Sequence, residues 1–482
     1  MSAGSSNRYR LFSNVDLRGK SGASGESSRS TDLCDRAIVS AFGSVPVPSL
    51  PLTSRLGVPD RSAVRRIVDW SLRGGLALLD QGLFSSTNFT LNILLARSLQ
   101  PSAYGSYAVA FSAFLVIAGF HNALILEPMS FLGTAKYSDR IHEYLVYQLK
   151  LHFWLTGVMS GLVLAAAAIV SRDAQIPELA NAIFGVGIAL PLILLLWTAR
   201  RIAYVLGRPD MAAAGSAIYL ASTIIGFFLV RNRAALNNLS IFLIMGCASV
   251  VAAVILLWRA LGTASLHSFS GTLYQRDVLT VQWRFGRPLL LTSLLSLGAT
   301  QAEAFLAASL VGLGAAGALR AIEMFTLPMA QTVTAFSILA APALSHAFGQ
   351  GSLDSLKATG RKLGLFLTTI AVIYEVMLIG GCIPLERLVY GERYAAYAWL
   401  MPVLGLVPIL AAYASGHSLV LKAMQYPQHA LYVGMVSSAV ALISGVFLTY
   451  LWGITGAAIS SVLTYLSATA TILFFFRKRG PR

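Results

Sequence analysis

Long apolar runs recur along most of this chain, and they limit its fold more than any other feature. Residues 162–170, for example, contain no polar side chain. A helix that crosses a bilayer needs about 20 mostly apolar residues, whereas membrane-spanning β-strands alternate apolar and polar residues over about 10 positions. Only 12% of the chain is charged, against roughly 25% in soluble globular proteins. The sequence therefore predicts an all-α polytopic membrane protein.

Hydropathy windows predict about twelve transmembrane helices. A long polar stretch, residues 259–287, separates the first six from the last six. We therefore expect two six-helix bundles, residues 69–270 and residues 271–482. The predicted spans are 75–96, 104–126, 147–170, 183–204, 211–230, 239–258, 288–310, 318–344, 363–382, 396–421, 429–450 and 453–476.

The net charge of +16 comes from Lys and Arg residues that cluster on one side of the predicted membrane. Such residues are enriched in cytoplasmic connections, and this distribution predicts that both termini are cytoplasmic. The carboxyl end adds Arg477, Lys478, Arg479 and Arg482. Membrane lipids are therefore the expected partners of the basic face, and nucleic acid is not. Residues 1–68, rich in Ser, Gly and Arg, are expected to form a disordered cytoplasmic tail.

The two halves of the chain show a weak internal repeat. Residues 95–99 read LARSL and are followed by Gly105, while residues 306–310 read LAASL and are followed by Gly317. Helices rich in Ala and Leu can match by chance. The shared order and spacing nevertheless favour two halves with the same orientation, a plan in which transporters bind substrate between the halves.

Polar side chains form a stripe on the first predicted span and a related stripe on the seventh. The first stripe contains Gln81, Ser85, Asn88 and Asn92, and the second contains Thr292, Ser296 and Glu303. Each set lies on one face of a helix. Polar groups facing lipid are costly, so we interpret the stripes as walls of a cavity. Hydrogen bonding between helices, worth about 0.6 kcal/mol per bond, is the alternative interpretation.

Ionisable residues inside predicted spans give further candidates, because charge within a membrane is usually functional. Arg320 is the candidate for binding an anion such as phosphate, since its guanidinium donates two parallel hydrogen bonds. A local pair between Arg320 and Glu323 is the simpler alternative. Neither a catalytic residue, a metal site nor a cofactor is expected. The candidates for proton or ion coupling are Asp80, Glu303, Glu323 and Glu375.

These residues also resemble a known family. Residues 80–89 (DQGLFSSTNF), residues 94–99 (LLARSL) and residues 104–107 (YGSY) resemble the opening of bacterial O-antigen and exopolysaccharide repeat-unit flippases (Wzx type). That family belongs to the multidrug/oligosaccharidyl-lipid/polysaccharide (MOP) exporter superfamily. The resemblance implies two six-helix bundles around a central cavity that opens alternately to either side. It also implies an oligosaccharide on polyprenyl pyrophosphate as cargo, polysaccharide polymerase machinery as a partner, and the bacterial inner membrane as location.

Two other functions stay open at this stage. A cation-coupled multidrug exporter of the same superfamily is compatible with acids in the spans. A membrane polysaccharide polymerase or glycosyltransferase is less favoured, because the predicted outer connections are short and contain no acidic cluster. The chain is accordingly interpreted as a transporter and not as an enzyme.

Overall fold

A computed structural model describes residues 61–173, 176–233, 235–267, 275–349, 353–424 and 428–478, and these residues are helical almost throughout. They belong to one compact unit. Residues 1–60, most of the predicted tail, lie outside the described residues. The first helix begins at Arg61, so residues 61–68 are helical instead of part of a disordered tail. The predicted boundary at residues 270 and 271 also lies outside the described residues.

The described residues of the first half of the chain form seven helices. Prolines occupy the first turn of α2, α5 and α6, where their missing N–H costs no hydrogen bond. A π-helical turn at Asn122–Leu126 joins α2 to α3, and a 3-10 turn at Ser138–Arg140 precedes α4. The helices are α1 (Arg61–Ser98), α2 (Pro101–His121), α3 (Glu127–Ala135), α4 (Ile141–Val170), α5 (Pro177–Val205), α6 (Pro209–Asn232) and α7 (Asn238–His267).

The described part of the second half forms six further helices. A 3-10 turn at Met324–Thr326 joins α9 to α10, and another at Ala395–Tyr397 precedes α12. The helices are α8 (Gln275–Leu310), α9 (Leu313–Glu323), α10 (Leu327–Gly349), α11 (Leu353–Tyr390), α12 (Leu400–Ala423) and α13 (Gln428–Lys478).

α13 is a helical hairpin. Gly453, with φ 58°, interrupts its helical backbone. The hydroxyl oxygens of Ser444 and Ser460 lie 2.9 Å apart, although 16 residues of straight helix would separate them by about 24 Å. The chain therefore reverses at Gly453, and its two arms correspond to the last two predicted spans.

Nine helical stretches among the described residues are long and apolar enough to cross a membrane. The last of them, His429–Lys478, contains both arms of the α13 hairpin. α1 and the α9–α10 pair are not among the nine; α1 carries the polar stripe, which lowers its hydropathy. With these additions the helices agree with the prediction of about twelve spans, and the all-α polytopic fold is confirmed.

The helices pack as two bundles. In the first, α5 contacts α2, α4 and α7, and α1 contacts α6; in the second, α8 contacts α13, and α12 contacts α10, α11 and α13. The bundles meet where α2 packs against α8 and α9. Large apolar residues such as Trp154 and Leu162 are exposed on α4, as expected for surfaces that contact acyl chains.

Two of the turns lie together, because Arg393 in the α11–α12 loop donates hydrogen bonds to the carbonyls of Ala96 and Leu99 at the end of α1. If each continuous span, such as α2–α3 or α9–α10, crosses the membrane once, the turns collect at two ends of the molecule. We name these the Gln100 end, which holds the α1–α2 turn, and the Arg200 end, which holds the α5–α6 turn.

Candidate functional site

A cavity of about 400 Å³ lies between α1 of the first bundle and α10 of the second. It is closer to the Arg200 end, because Gln81 in its wall directly follows Asp80, whose carboxylate binds Arg200. All of its described lining residues are uncharged. Amide and hydroxyl groups of this kind both donate and accept hydrogen bonds, so they can replace water around a polyhydroxylated ligand. The polar or aromatic residues in the wall are Gln81, Ser85, Ser86, Phe89, Gln331, Thr332 and Thr334.

The backbones of the two bundles come into close contact at the Gln100 end, where α2 crosses α9. A Cβ atom built on Gly105 would lie 1.7 Å from the carbonyl oxygen of Leu313, and one built on Gly317 would lie 2.4 Å from the carbonyl oxygen of Pro101. Only glycine allows backbones to approach this closely. Gly105 and Gly317 are the glycines that the internal repeat relates, so equivalent positions of the two halves meet here.

Aromatic and charged residues complete the closure at the Gln100 end. The rings of Tyr104 on α2 and Tyr394 in the α11–α12 loop lie 6.5 Å apart, and Tyr390 donates a hydrogen bond of 2.9 Å to the carbonyl of Ala321 on α9. Arg393, from the same loop, donates to the carbonyls of Ala96 and Leu99 at the end of α1. We name the loop residues 390–394 the gate loop, because they connect the second bundle to the first at the closed end.

Several of the predicted site residues meet just beyond the cavity, in a set that we name the central polar cluster: Asn92, Tyr104, Glu303, Arg320, Glu323 and Ser461. Tyr104 donates to the amide oxygen of Asn92 over 3.2 Å and interacts electrostatically with Arg320. Arg320 and Glu323 form an ion pair of 3.4 Å, and Ser461 donates to Glu303. The local pair considered for Arg320 and Glu323 is thus present, although 20% and 27% of their side-chain areas remain exposed.

The predicted stripes occupy different environments. Gln81 and Ser85 line the cavity, Asn88 is half-buried, and Asn92 is buried in the central polar cluster. Thr292 is half-buried and Ser296 is exposed, and neither lines the cavity. The structure therefore pairs α1 with α10 across the cavity, where the sequence reasoning pairs it with α8.

Asp80 is buried, and its carboxylate is fully engaged. Arg200 donates to both of its oxygens at 3.0 and 2.8 Å, and Tyr204 and Ser216 donate at 2.6 and 2.5 Å. The Arg200 guanidinium also lies 4.1 Å from the ring centre of Phe84. This arrangement neutralises Asp80 and fastens α1 to α5 and α6. Sequence reasoning misses this pair; the signal for it is that a buried acid needs a cation within reach.

A histidine pair in the first bundle is also missed by sequence reasoning. The Nε2 atom of His121 lies 2.9 Å from Nδ1 of His152, and the Thr198 hydroxyl lies 3.3 Å from the same Nδ1. Both imidazoles are fully buried. The pair joins α2, α4 and α5 directly before the π-helical turn. Among the described residues no three His, Cys, Asp or Glu side chains converge as a metal site would require.

Glu375 lies apart from the central polar cluster. It is 5% exposed, in α11, and its carboxylate packs against Gly405 of α12.

No family model matches the sequence, and no curated protein matches it. Solved structures do match the fold. A multidrug resistance MATE family transporter of the MOP superfamily, in an inward-facing conformation, aligns with a TM-score of 0.69 at 14% identity over 84% of this chain and 98% of that one. The lipid II flippase MurJ, in an inward closed conformation, aligns with a TM-score of 0.70 at 12% identity over 83% and 87%. A MOP superfamily transporter from Pyrococcus furiosus, described as having a binding pocket of reversed polarity, gives a TM-score of 0.60 at 14% identity over 85% and 94%. The chain thus has the fold of MOP superfamily transporters.

Proposed function

We propose that this protein is a flippase that moves an oligosaccharide linked to polyprenyl pyrophosphate across a membrane by alternating access. The observation that carries the proposal is the cavity between the two bundles, which is closed towards the Gln100 end. Its described lining contains no charge and places amides and hydroxyls among apolar residues such as Leu78 and Leu327. A hydrated sugar cannot cross hydrocarbon unaided, whereas these side chains can replace its water. The similarity to a lipid II flippase supports a lipid-linked cargo.

The cavity lining favours a sugar over a cationic drug. A site for organic cations gains from carboxylates or from aromatic faces, whereas the described lining contains no carboxylate and a single aromatic ring, that of Phe89. The acids Glu303 and Glu323 lie in the central polar cluster, further towards the Gln100 end. A cation-coupled multidrug exporter remains the second candidate function, supported by those acids and by the similarity to MATE transporters.

We assign the pyrophosphate of the cargo to Arg320. It precedes Leu327, at the edge of the cavity, by seven residues, or about 10 Å along a helix. A phosphate that reaches Arg320 would replace the single 3.4 Å contact with Glu323 by a bidentate interaction. Glu323 and Glu303, which then lose a nearby cation, are the proposed sites of ion coupling.

The distribution of Lys and Arg supports a cytoplasmic Arg200 end, and the resemblance to Wzx-type flippases favours a bacterial inner membrane. In that orientation the cavity lies nearer the cytoplasm, where the cargo would enter, and the gate loop faces the opposite side. A polysaccharide polymerase would then receive the cargo as it leaves the Gln100 end.

Transport by purified protein in proteoliposomes tests the proposal. The cargo is a fluorescent polyprenyl-pyrophosphate oligosaccharide, and ethidium is the cationic competitor. Thr334 and Thr369 form a matched pair: both are exposed, and both hydroxyls donate to the carbonyl four residues earlier, at 2.9 and 3.0 Å. Thr334 lines the cavity, whereas Thr369 lies on α11 outside it. We expect Thr334→Val to slow oligosaccharide flipping several-fold and Thr369→Val to leave it unchanged.

Ethidium transport without flipping would replace the proposal by the multidrug alternative, and equal effects of the two valine variants would remove the cavity from the pathway. Arg320→Ala should abolish flipping of the pyrophosphate cargo, and Arg320→Lys should restore only part of it, because lysine lacks the bidentate donor geometry. Full activity of Arg320→Ala, in protein that inserts normally, would exclude Arg320 from the site.

A further inference from the structure

The carboxyl group of Glu375 is buried in the middle of α11 without a hydrogen-bond partner at either oxygen. Its neighbours Ile373, Val376 and Met377 are exposed towards the lipid, so Glu375 lies on the opposite, protein-facing side of the helix. An ionised carboxylate in such a place would be far too costly without a counter-charge. The group is therefore expected to be either neutral or bound to a cation.

The neighbouring helix leaves a fitted place for this carboxyl. A Cβ atom built on Gly405 of α12 would lie 1.6 Å from Oε2 and 2.8 Å from Oε1 of Glu375, so the carboxyl fills the space that any other residue would use. Pro408, one turn further on, lies inside α12. Because proline has no N–H, the carbonyl of Leu404 lacks its helical donor, which loosens the backbone of α12 beside Gly405.

We propose that Glu375 is a proton-binding site that controls the gate loop. The proton makes the carboxyl neutral, which allows α11 and α12 to close over it. The close contact with Gly405 leaves no room for Na⁺ or K⁺, whose coordination needs several oxygens around the ion. A proton is the ligand that this site can take.

Among the described residues, no charged side chain near Glu375 pairs with its carboxyl group. Tyr374, the preceding residue, interacts with Glu375 electrostatically, and its hydroxyl donates to the carbonyl of Phe325 over 2.6 Å. On α1, Asp80 is paired with Arg200, and Arg97 lies at the end of the helix. Three groups of titratable residues remain on the helices and the turn that pack against α11. They are Tyr413, His417 and Lys422 on α12, at least eight residues beyond Gly405; His346 on α10 and Tyr397 in the 3-10 turn; and Arg61, Arg65, Arg66, Asp69 and Arg73 in the first part of α1.

The position of Glu375 links the proton to closure of the Gln100 end. α11 and α12 are the two arms of a hairpin, and the gate loop connects them. Arg393 in that loop holds the end of α1 through two carbonyls. When the proton leaves, the carboxylate must reach water, so the arms separate at Gly405. The gate loop then moves with the arms and withdraws Arg393 from α1.

Infrared difference spectroscopy of the purified full chain tests the site without any cargo, so its outcome is independent of the proposed transport function. We expect a carbonyl stretch of a protonated carboxylic acid that vanishes as pH is raised. Glu375→Gln, which keeps the shape of the neutral acid, should remove it. Glu303→Gln is the matched control, because Glu303 is a second buried acid but already accepts a hydrogen bond from Ser461.

A band that persists in Glu375→Gln, or that disappears only in Glu303→Gln, would overturn the proposal. Gly405→Ala provides a second measurement in case the glutamine variant does not fold, because its methyl group must displace the carboxyl and shift the band. Spin labels at Leu388 and Arg172 then report the gate. Their distance should increase with pH in the wild type and stay at its low-pH value in Glu375→Gln. A distance that depends on pH equally in both would show that Glu375 does not control the gate.

Discussion

Substituting alanine at the Gly105–Gly317 crossing should open the Gln100 end. The methyl group of Gly105→Ala would lie 1.7 Å from the carbonyl oxygen of Leu313, and that of Gly317→Ala would lie 2.4 Å from the carbonyl oxygen of Pro101. Both contacts are with backbone, which cannot rotate away as a side chain could. The helices α2 and α9 must therefore move apart.

The size of the effect follows from these distances. A carbon and a carbonyl oxygen come no closer than about 3.3 Å without repulsion. Gly105→Ala thus requires a separation of about 1.6 Å, and Gly317→Ala about 0.9 Å. Overpacking of this kind costs about 1–3 kcal/mol, and it applies only while the Gln100 end is closed. The ratio of open to closed molecules should rise roughly 5- to 150-fold, with Gly105→Ala showing the larger change.

Pulsed electron paramagnetic resonance can measure this shift. One spin label at Arg172, in the α4–α5 turn, and one at Leu388, near the end of α11, place the pair on different bundles at the Gln100 end. Both sites are exposed, and the native cysteines Cys34, Cys247 and Cys382 are replaced first. We expect a second, longer distance to become populated in the alanine variants.

Gly314→Ala is the control for this experiment. It lies on α9 three residues before Gly317, and a Cβ there would meet no atom within 4 Å. An unchanged distance distribution in Gly105→Ala would refute the reasoning. So would an equal shift in Gly314→Ala, because the effect would then come from helix propensity and not from the crossing.

Three further substitutions test other contacts. Arg393→Ala should populate the longer Arg172–Leu388 distance. It introduces no clash and removes only the hydrogen bonds to Ala96 and Leu99. A distance distribution identical to wild type would show that Arg393 does not keep the Gln100 end closed. Asp80→Asn should lower the unfolding free energy by about 3–5 kcal/mol, because it leaves Arg200 without its buried counter-charge. Glu392→Gln, in the exposed pair with Arg387, is the control and should change the thermal midpoint little. Equal midpoints for these two variants would contradict the prediction. Gln148→Leu should cost about 1–3 kcal/mol because the amide oxygen of Gln282 loses its donor, while its nitrogen keeps the 2.7 Å hydrogen bond to the Leu124 carbonyl. Adding Gln282→Leu should recover only part of that loss, because the Leu124 carbonyl then loses its donor; no recovery in thermal unfolding would show that packing, and not the reciprocal amide pair of 2.8 and 3.0 Å, sets the cost.

The fold could be predicted from the sequence because membrane helices satisfy their backbone hydrogen bonds within each segment. Hydropathy therefore finds most of them one at a time. The hairpin at Gly453 agrees with the predicted break between spans at residues 450 and 453. The start of α1 differs from the prediction. The polar composition of residues 61–68 predicts a tail, yet the helix continues through them. A helix that leaves the bilayer can keep its backbone hydrogen bonds in water.

The sequence does not show in the same way which distant helices pack against each other. Helical periodicity shows that Gln81 and Ser85 share a face, but it does not say which helix faces them. In the structure, α10 lies at that face. Helix α8, which carries Thr292 and Ser296, lies elsewhere. Asp80 presents the same limit, because its partner Arg200 is 120 residues away. The repeat was the exception: it identified Gly105 and Gly317 as equivalent, and equivalent positions of two related halves meet near the axis between them.

The described lining of the cavity is uncharged, whereas charged residues lie towards the closed end. This difference determines which part of the cargo can drive the transport cycle. A ligand shifts a conformational equilibrium only by the difference between its affinities for the two states. A neutral sugar in the uncharged cavity of α1 and α10 meets no ionised group, so its binding alone leaves Arg320 paired with Glu323. A phosphate at Arg320 breaks that pair and changes the interactions of Tyr104, which belongs to the closed crossing. Under the proposed function, the sugar therefore provides recognition and the pyrophosphate provides the free energy that opens the gate. An oligosaccharide without its lipid pyrophosphate should bind in the cavity and leave the Arg172–Leu388 distance unchanged.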